Sequence, residues 1–195
     1  MSGTEYRRRA SISKNSEVLW RACSDRLEQI APDGTLVLTV PYRNVRKVRL
    51  AFAPGRFQTT RFLMDLRGET SRLILTNMHF EGFGRFEDRT ETFFPLVREV
   101  VAGVAAANPA AQFSAGEEPL LYGLMLGLNV AAFSMLALLI LYLPIVPGNV
   151  SLSAMVKLGI VIFTLPLLLS WAVNARPRRF DPVRDIDKVL DARSR

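Results

Sequence analysis

The chain has 195 residues, 49% of them apolar, and carries 25 Lys and Arg against 18 Asp and Glu, a net charge of +7 with mean hydropathy +0.18. That hydropathy argues against one ordinary soluble domain filling the whole length. The basic excess is shared between the two ends, with seventeen cations against fourteen acids in residues 1–118 and seven against four in residues 174–195, so it calls for no nucleic-acid partner.

Residues 1–16 read as a flexible basic arm. Arg7, Arg8 and Arg9 precede a polar stretch without the apolar run of a signal peptide. Cys23 is the single cysteine and forms no internal disulfide, which suits a reducing cytosolic face. From Leu19 to Phe86 short apolar segments alternate with turns. Asp33-Gly34 separates Arg26–Ile30 from Thr35–Val40, where Leu36, Leu38 and Val40 alternate as on a half-buried strand. Arg43–Ala53 alternates up to the Pro54-Gly55 turn, Arg61–Leu66 and Arg72–Thr76 flank Gly68 as a hairpin, and His79–Phe86 carries Gly82 and Gly84 as an irregular strand or loop. A helix follows, with Phe93, Leu96, Val97, Val100, Val101 and Val104 at three- and four-residue steps. Thr92 is placed to cap it, Pro95 lies in its first turn and Asn108-Pro109 stop it. One apolar stripe on a lone helix after a sheet must cover the sheet's open side.

Pro119–Leu143 contains no charge, and a helix of that length crosses a bilayer core of about 30 Å. A second span is expected over 155–173, with Lys157 snorkelling to one interface, Trp171 at the other and Pro166 as a kink site. The uncharged segment 144–154 joins them as a short external loop, and the basic residues of the 174–195 tail place that tail inside. Two spans then return residues 17–112, the expected sheet-and-helix domain, to the same cytoplasmic side. Gly123, Gly127 and Ala131 lie on one face of the first span and include a literal GxxxG. They suit packing on the chain's own second span near Gly159, or homodimerisation through the first.

A strand-rich unit of this size ending in one amphipathic helix and fused to transmembrane helices resembles the bacterial pleckstrin-homology-like (PH-like) membrane proteins. The segments Val40-Pro-Tyr-Arg-Asn-Val-Arg-Lys-Val-Arg-Leu50, Phe94–Val101 and Arg176-Pro-Arg-Arg-Phe-Asp-Pro182 carry the resemblance. It implies an α+β chain: a PH-like antiparallel β-sheet or barrel with one C-terminal amphipathic helix, then an all-α two-helix transmembrane hairpin. It also implies a bacterial cytoplasmic membrane, on whose inner side the charge distribution places both termini.

No catalytic, metal or cofactor constellation emerges. His79 is the only histidine, Gly82-Phe-Gly84 lacks the third glycine of a dinucleotide loop, and Glu87, Asp88 and Glu91 suit the start of a helix. The concentrated surface feature is basic. Arg43, Arg46, Lys47 and Arg49 fall within one short segment, and Lys47-Val-Arg49 resembles the motif by which some pleckstrin-homology domains grip phosphoinositides. These four are the candidate lipid- or partner-binding residues, with Gly123, Gly127 and Ala131 for helix packing. The expected function is a non-enzymatic, membrane-anchored binding module acting as adaptor or accessory subunit of a membrane protein complex. Recognition of anionic headgroups is the alternative, and a membrane enzyme or transporter component the minor one. Membrane lipids and a membrane protein are the expected partners.

Overall fold

Short alternating segments with glycine or Asx turns between them fold as successive antiparallel strands. The computed structural model describes residues 3–9, 16–53, 58–142, 155–157, 159 and 176–191. They belong to two units, Met1–Ala115 with Arg178–Arg195, and Gly116–Pro177. The chain is α+β with mostly antiparallel sheets.

In the first unit, β1 (Glu5–Arg8), β2 (Val18–Ala22), β3 (Arg26–Ile30) and β4 (Leu36–Pro41) form a four-stranded meander in chain order. The β3–β4 turn is the expected Asp33-Gly34. Asp33 Oδ1 accepts hydrogen bonds from the Thr35 amide (3.0 Å) and hydroxyl (2.7 Å), and Gly34 takes φ +84°, where a side chain would be strained. The expected flexible arm is corrected here, because Glu5–Arg8 pairs along β2. Tyr6 is its anchor: it is buried edge-on against Phe93 with ring centroids 5.1 Å apart, and its hydroxyl donates to the Thr76 carbonyl at 2.7 Å.

A short 3₁₀ turn, Tyr42–Asn44, leads to the second sheet. There β5 (Lys47–Phe52), β6 (Phe62–Arg67) and β7 (Arg72–Thr76) form an antiparallel meander, hinged at Gly68 as expected. β8 (Met78–Gly82) and β9 (Arg85–Asp88) make a separate hairpin from the segment read as irregular.

The helix α1 (Thr90–Ala107) buries the six expected residues, Phe93, Leu96, Val97, Val100, Val101 and Val104, completely. It starts earlier than its apolar stripe does. Asp88 Oδ1 accepts from the Thr90 amide at 3.0 Å, so Asp88, not Thr92, satisfies the first turn, and Pro95 falls in the second. Gly103 lets the helix approach Tyr42, since a Cβ there would stand 2.4 Å from the buried ring. Asn77, fully buried and unremarkable in sequence, ties β6 to the helix start. Its Oδ1 accepts from the Phe62 amide (2.8 Å), and its Nδ2 donates to the Thr60 carbonyl (3.0 Å), Asp88 Oδ1 (2.8 Å) and Thr90 Oγ1 (2.8 Å).

The C-terminal segment belongs to this same unit. β10 (Gln112–Ala115) lies parallel to β5, and β11 (Arg178–Arg179) pairs antiparallel with β10, giving the sheet order β11-β10-β5-β6-β7. Phe180 meets Phe113 edge-on at 6.0 Å. The closing helix α3 (Ile186–Asp191) buries Ile186, Val189 and Leu190, and Asp187 Oδ1 accepts from Arg98 Nε on α1 at 2.8 Å. The expected basic tail is thus in large part a structural edge of the domain.

In the second unit α2 (Pro119–Tyr142) has 24 residues, and mean hydropathy reaches 1.6 over Pro119–Leu136. Its length of about 36 Å spans a bilayer core. It is the one helix among the described residues long and apolar enough to cross a membrane. The Asn129 amide is satisfied within the helix, donating to the Met125 carbonyl at 2.7 Å. The loop 144–154 and all of the 155–173 span except the helical residues 155–157 and 159 lie outside the described residues.

Candidate functional site

The four candidate basic residues do not share one face. Arg43 and Arg46 line an open groove of about 780 Å³ between the β6–β7 turn and the end of α1, together with Glu69, Ser71, Asn108 and Gln112. Arg46 is ion-paired there with Glu69, and Asn108 Nδ2 donates to the Val45 carbonyl at 2.9 Å, fixing the groove's floor.

Lys47 and Arg49 stand instead on the outer face of the second sheet. Strand alternation sends Val48 and Leu50 into the core, so their neighbours must point the other way. Arg49 is only 6% exposed and is paired with Asp65 at 3.5 Å, which removes it from any solvent-facing patch. Asp65 is fully buried and also accepts from Arg67 Nε (3.1 Å) and Nη2 (3.0 Å) and from Arg72 Nε (3.0 Å) and Nη2 (2.8 Å). Burial alone would raise its pKa. Hydrogen bonds from Arg72 and Arg67 outweigh that and hold its carboxyl below the ordinary carboxylate range. Sequence spacing could not assemble this cluster, because its members come from three strands.

A second surface is apolar. β4 is an edge of the first sheet and has no strand on its outer side among the described residues. The expected half-burial holds at Val40, which packs partly buried against the core, and fails at Leu36 and Leu38, which are 58% and 40% exposed; Val37, on the other face by alternation, is 59% exposed. The pairing shifts register opposite Gln29 and Ile30, leaving Val37 as the extra residue of a bulge and turning successive side chains outward. Gly34 to Tyr42 contains no charged residue, the nearest being Asp33 in the turn and Arg43 after the strand, so the usual charged protection of a sheet edge is missing along β4 itself.

His79 is buried at the start of the hairpin, its Nδ1 accepting from the Arg9 amide at 3.1 Å and its Nε2 standing 3.5 Å from Glu17. Burial, reinforced by Arg89 and opposed by Glu17, lowers its pKa. A depressed histidine pKa contributes stability that is complete above about pH 6.5 and is lost as the pH falls through the folded-state value. His79→Gln, which keeps an acceptor, is expected to flatten the decline of the denaturation midpoint between neutral and mildly acid pH. An unchanged slope would show that His79 does not set it.

Cys23 is half-buried, and burial followed by Glu28 pushes its thiol pKa up, away from nucleophilic character. Among the described residues no group of three His, Cys, Asp or Glu is placed to hold a metal ion. Gly123, Gly127 and Ala131 are exposed on α2, and a Cβ at Gly123, Gly127 or Gly159 would meet no described atom within 4 Å. Among the described residues of α2, Tyr122, Leu126, Asn129 and Phe133 are half-buried.

Comparison with family models, with curated proteins and with solved structures gives no match.

Proposed function

We propose that this chain is a non-enzymatic, membrane-anchored PH-like binding module that docks a membrane protein partner through β4, as adaptor or accessory subunit. The observation that carries this reading is the uncharged, exposed edge strand Leu36–Pro41, whose open side offers backbone groups and apolar side chains to an added strand. The PH-like part of the reading is supported by the four-stranded meander, the β5–β7 meander and the helix that follows them, to which this chain adds the β8–β9 hairpin and the strands β10 and β11.

The co-folded ends support the anchor. Residues up to Ala115 and residues 178–191 share one sheet and one core, so the segment between them must leave and re-enter on one side of any membrane. This reading calls for an even number of crossings, and the span proposed over 155–173 would pair with α2. Only Gly116–Glu118 separate β10 from α2, and such a short tether raises the local concentration of a partner in the same bilayer.

The test is isolation of the full-length chain in native lipid discs, beside Val37→Lys, which adds a charge to the exposed edge. A near-stoichiometric membrane protein held by the wild type and lost from the variant is the expected result. Isolation without a protein partner, or retention of the partner by Val37→Lys, overturns the reading.

A further inference from the structure

The outer face of the second sheet holds a charge arrangement that the sheet's own stability does not favour. Lys47 registers opposite Arg67, and Arg67 opposite Arg72, so three cations stand side by side on three adjacent strands. Directly opposed like charges destabilise a sheet, with Cβ atoms only about 5 Å apart. The next row on this face reads Arg179, Ser114, Arg49, Asp65 across β11, β10, β5 and β6. Asp65 is the one acid in the two rows. It therefore leaves a surplus of positive charge on this face.

Asp65 also orients that surplus. Arg72 uses Nε and Nη2 on the Asp65 carboxylate, which orients the guanidinium, yet its side chain is 48% exposed, which leaves donor capacity beyond those two bonds. Lys47, on the far side of Arg67 from Arg72, is partly exposed and makes no ion pair with a described residue, and Arg179 is exposed two strands beyond it at the sheet edge. In the second row the Ser114 hydroxyl oxygen is shielded from water and has no hydrogen-bond partner among the described residues. An oriented guanidinium and an ammonium on either side of Arg67 suit a compact, multiply charged anion with several acceptor oxygens better than a single carboxylate.

We infer that the outer face of β5–β7 is a binding site for a phosphate monoester, received by Lys47 and Arg72 across Arg67, with Arg67 and Asp65 as the orienting pair. The site is independent of the docking reading for β4, which lies on the other sheet. Lipid phosphate and soluble phosphate ester present the same chemistry, and the experiment separates them.

Full-length protein in phosphatidylcholine discs is titrated with glycerol 3-phosphate, and a parallel set of discs contains phosphatidic acid. The readout is the shift of the thermal unfolding midpoint, with affinity taken from its dependence on probe concentration. A rise with either probe is expected, reduced about tenfold in affinity in Lys47→Gln and in Lys47→Gln/Arg72→Gln, and unchanged in Arg85→Gln on the separate hairpin. Response to phosphatidic acid alone assigns a lipid headgroup, and response to glycerol 3-phosphate assigns a soluble ester. If neither probe shifts the midpoint, or if Lys47→Gln binds like the wild type, the inference is overturned. Lys47→Gln leaves the Asp65 contacts intact, so a folding defect in the double variant does not obscure the result.

Discussion

Asp65→Asn is expected to lower the stability of the β-sheet domain by about 3–5 kcal/mol, because it removes the charge that compensates a buried guanidinium. Arg49 has only 8% of its side chain exposed and no acid other than Asp65 in either row of that face. Arg67 and Arg72 would also lose their shared acceptor. Denaturant unfolding of the full chain, followed by Trp20 fluorescence in a Trp171→Phe background, measures the loss. A cost under about 1 kcal/mol would mean that the arginines are solvated independently of Asp65. Stability should carry the same signature in acid. Since the Asp65 carboxyl is held below its ordinary range, its contribution is present above about pH 3.9 and disappears as the pH falls through the lower folded-state value. Asp65→Asn should remove that part of the acid dependence.

The second large effect is expected at the chain's end. Leu190 is fully buried, far from the strands in sequence but within the same core as Val97 and Leu50. Leu190→Ala should cost about 2–5 kcal/mol, and ending the chain at Pro177 should cost more, since Ile186, Val189 and Phe180 leave with it. Against a domain stability of about 5–15 kcal/mol, the truncated chain is expected to populate a partly open state. Amide exchange at Phe113–Ala115 is the sensitive probe, because β10 would lose β11 as a neighbour. Wild-type protection at those amides after truncation would show that the tail adheres without supporting the sheet.

The parts of the fold that could be read from sequence are those held by local pattern. The stripe from Phe93 to Val104 follows the helical period and is buried throughout, and the Asp33-Gly34 and Gly68 turns sit where their chemistry places them. What escaped depends on contacts distant along the chain. β10 and β11 are four and two residues long, too short for alternation to register, and each is defined by its neighbours in the sheet. Tyr6 is a single aromatic among arginines, and only the cavity beside Phe93 explains its burial.

The candidate site divided along the same line. Alternation correctly places Lys47 and Arg49 on one face, but whether a cation there meets water depends on Asp65 from the next strand. Arg67 and Arg72 gave no signal because each stands alone in its own segment. β4 shows the converse: Leu36, Leu38 and Val40 have the pattern of a half-buried strand, yet the bulge and the edge position leave Leu36 and Leu38 exposed.

The central claim is that residues on both sides of the apolar segment build one domain on one face of a membrane. Ser114 and Arg179 are register partners at a non-hydrogen-bonded position of the β10–β11 pair, since the Phe180 amide donates to the Phe113 carbonyl beside them. Such pairs stand about 4.5 Å apart at Cα, within disulfide reach. Ser114→Cys/Arg179→Cys in a Cys23→Ala background, oxidised in intact native membranes and then cleaved within the 143–154 segment, tests the claim directly. The account predicts that the two fragments stay joined until reductant is added. Fragments that separate without reductant, although each cysteine reacts with a thiol probe, would contradict it.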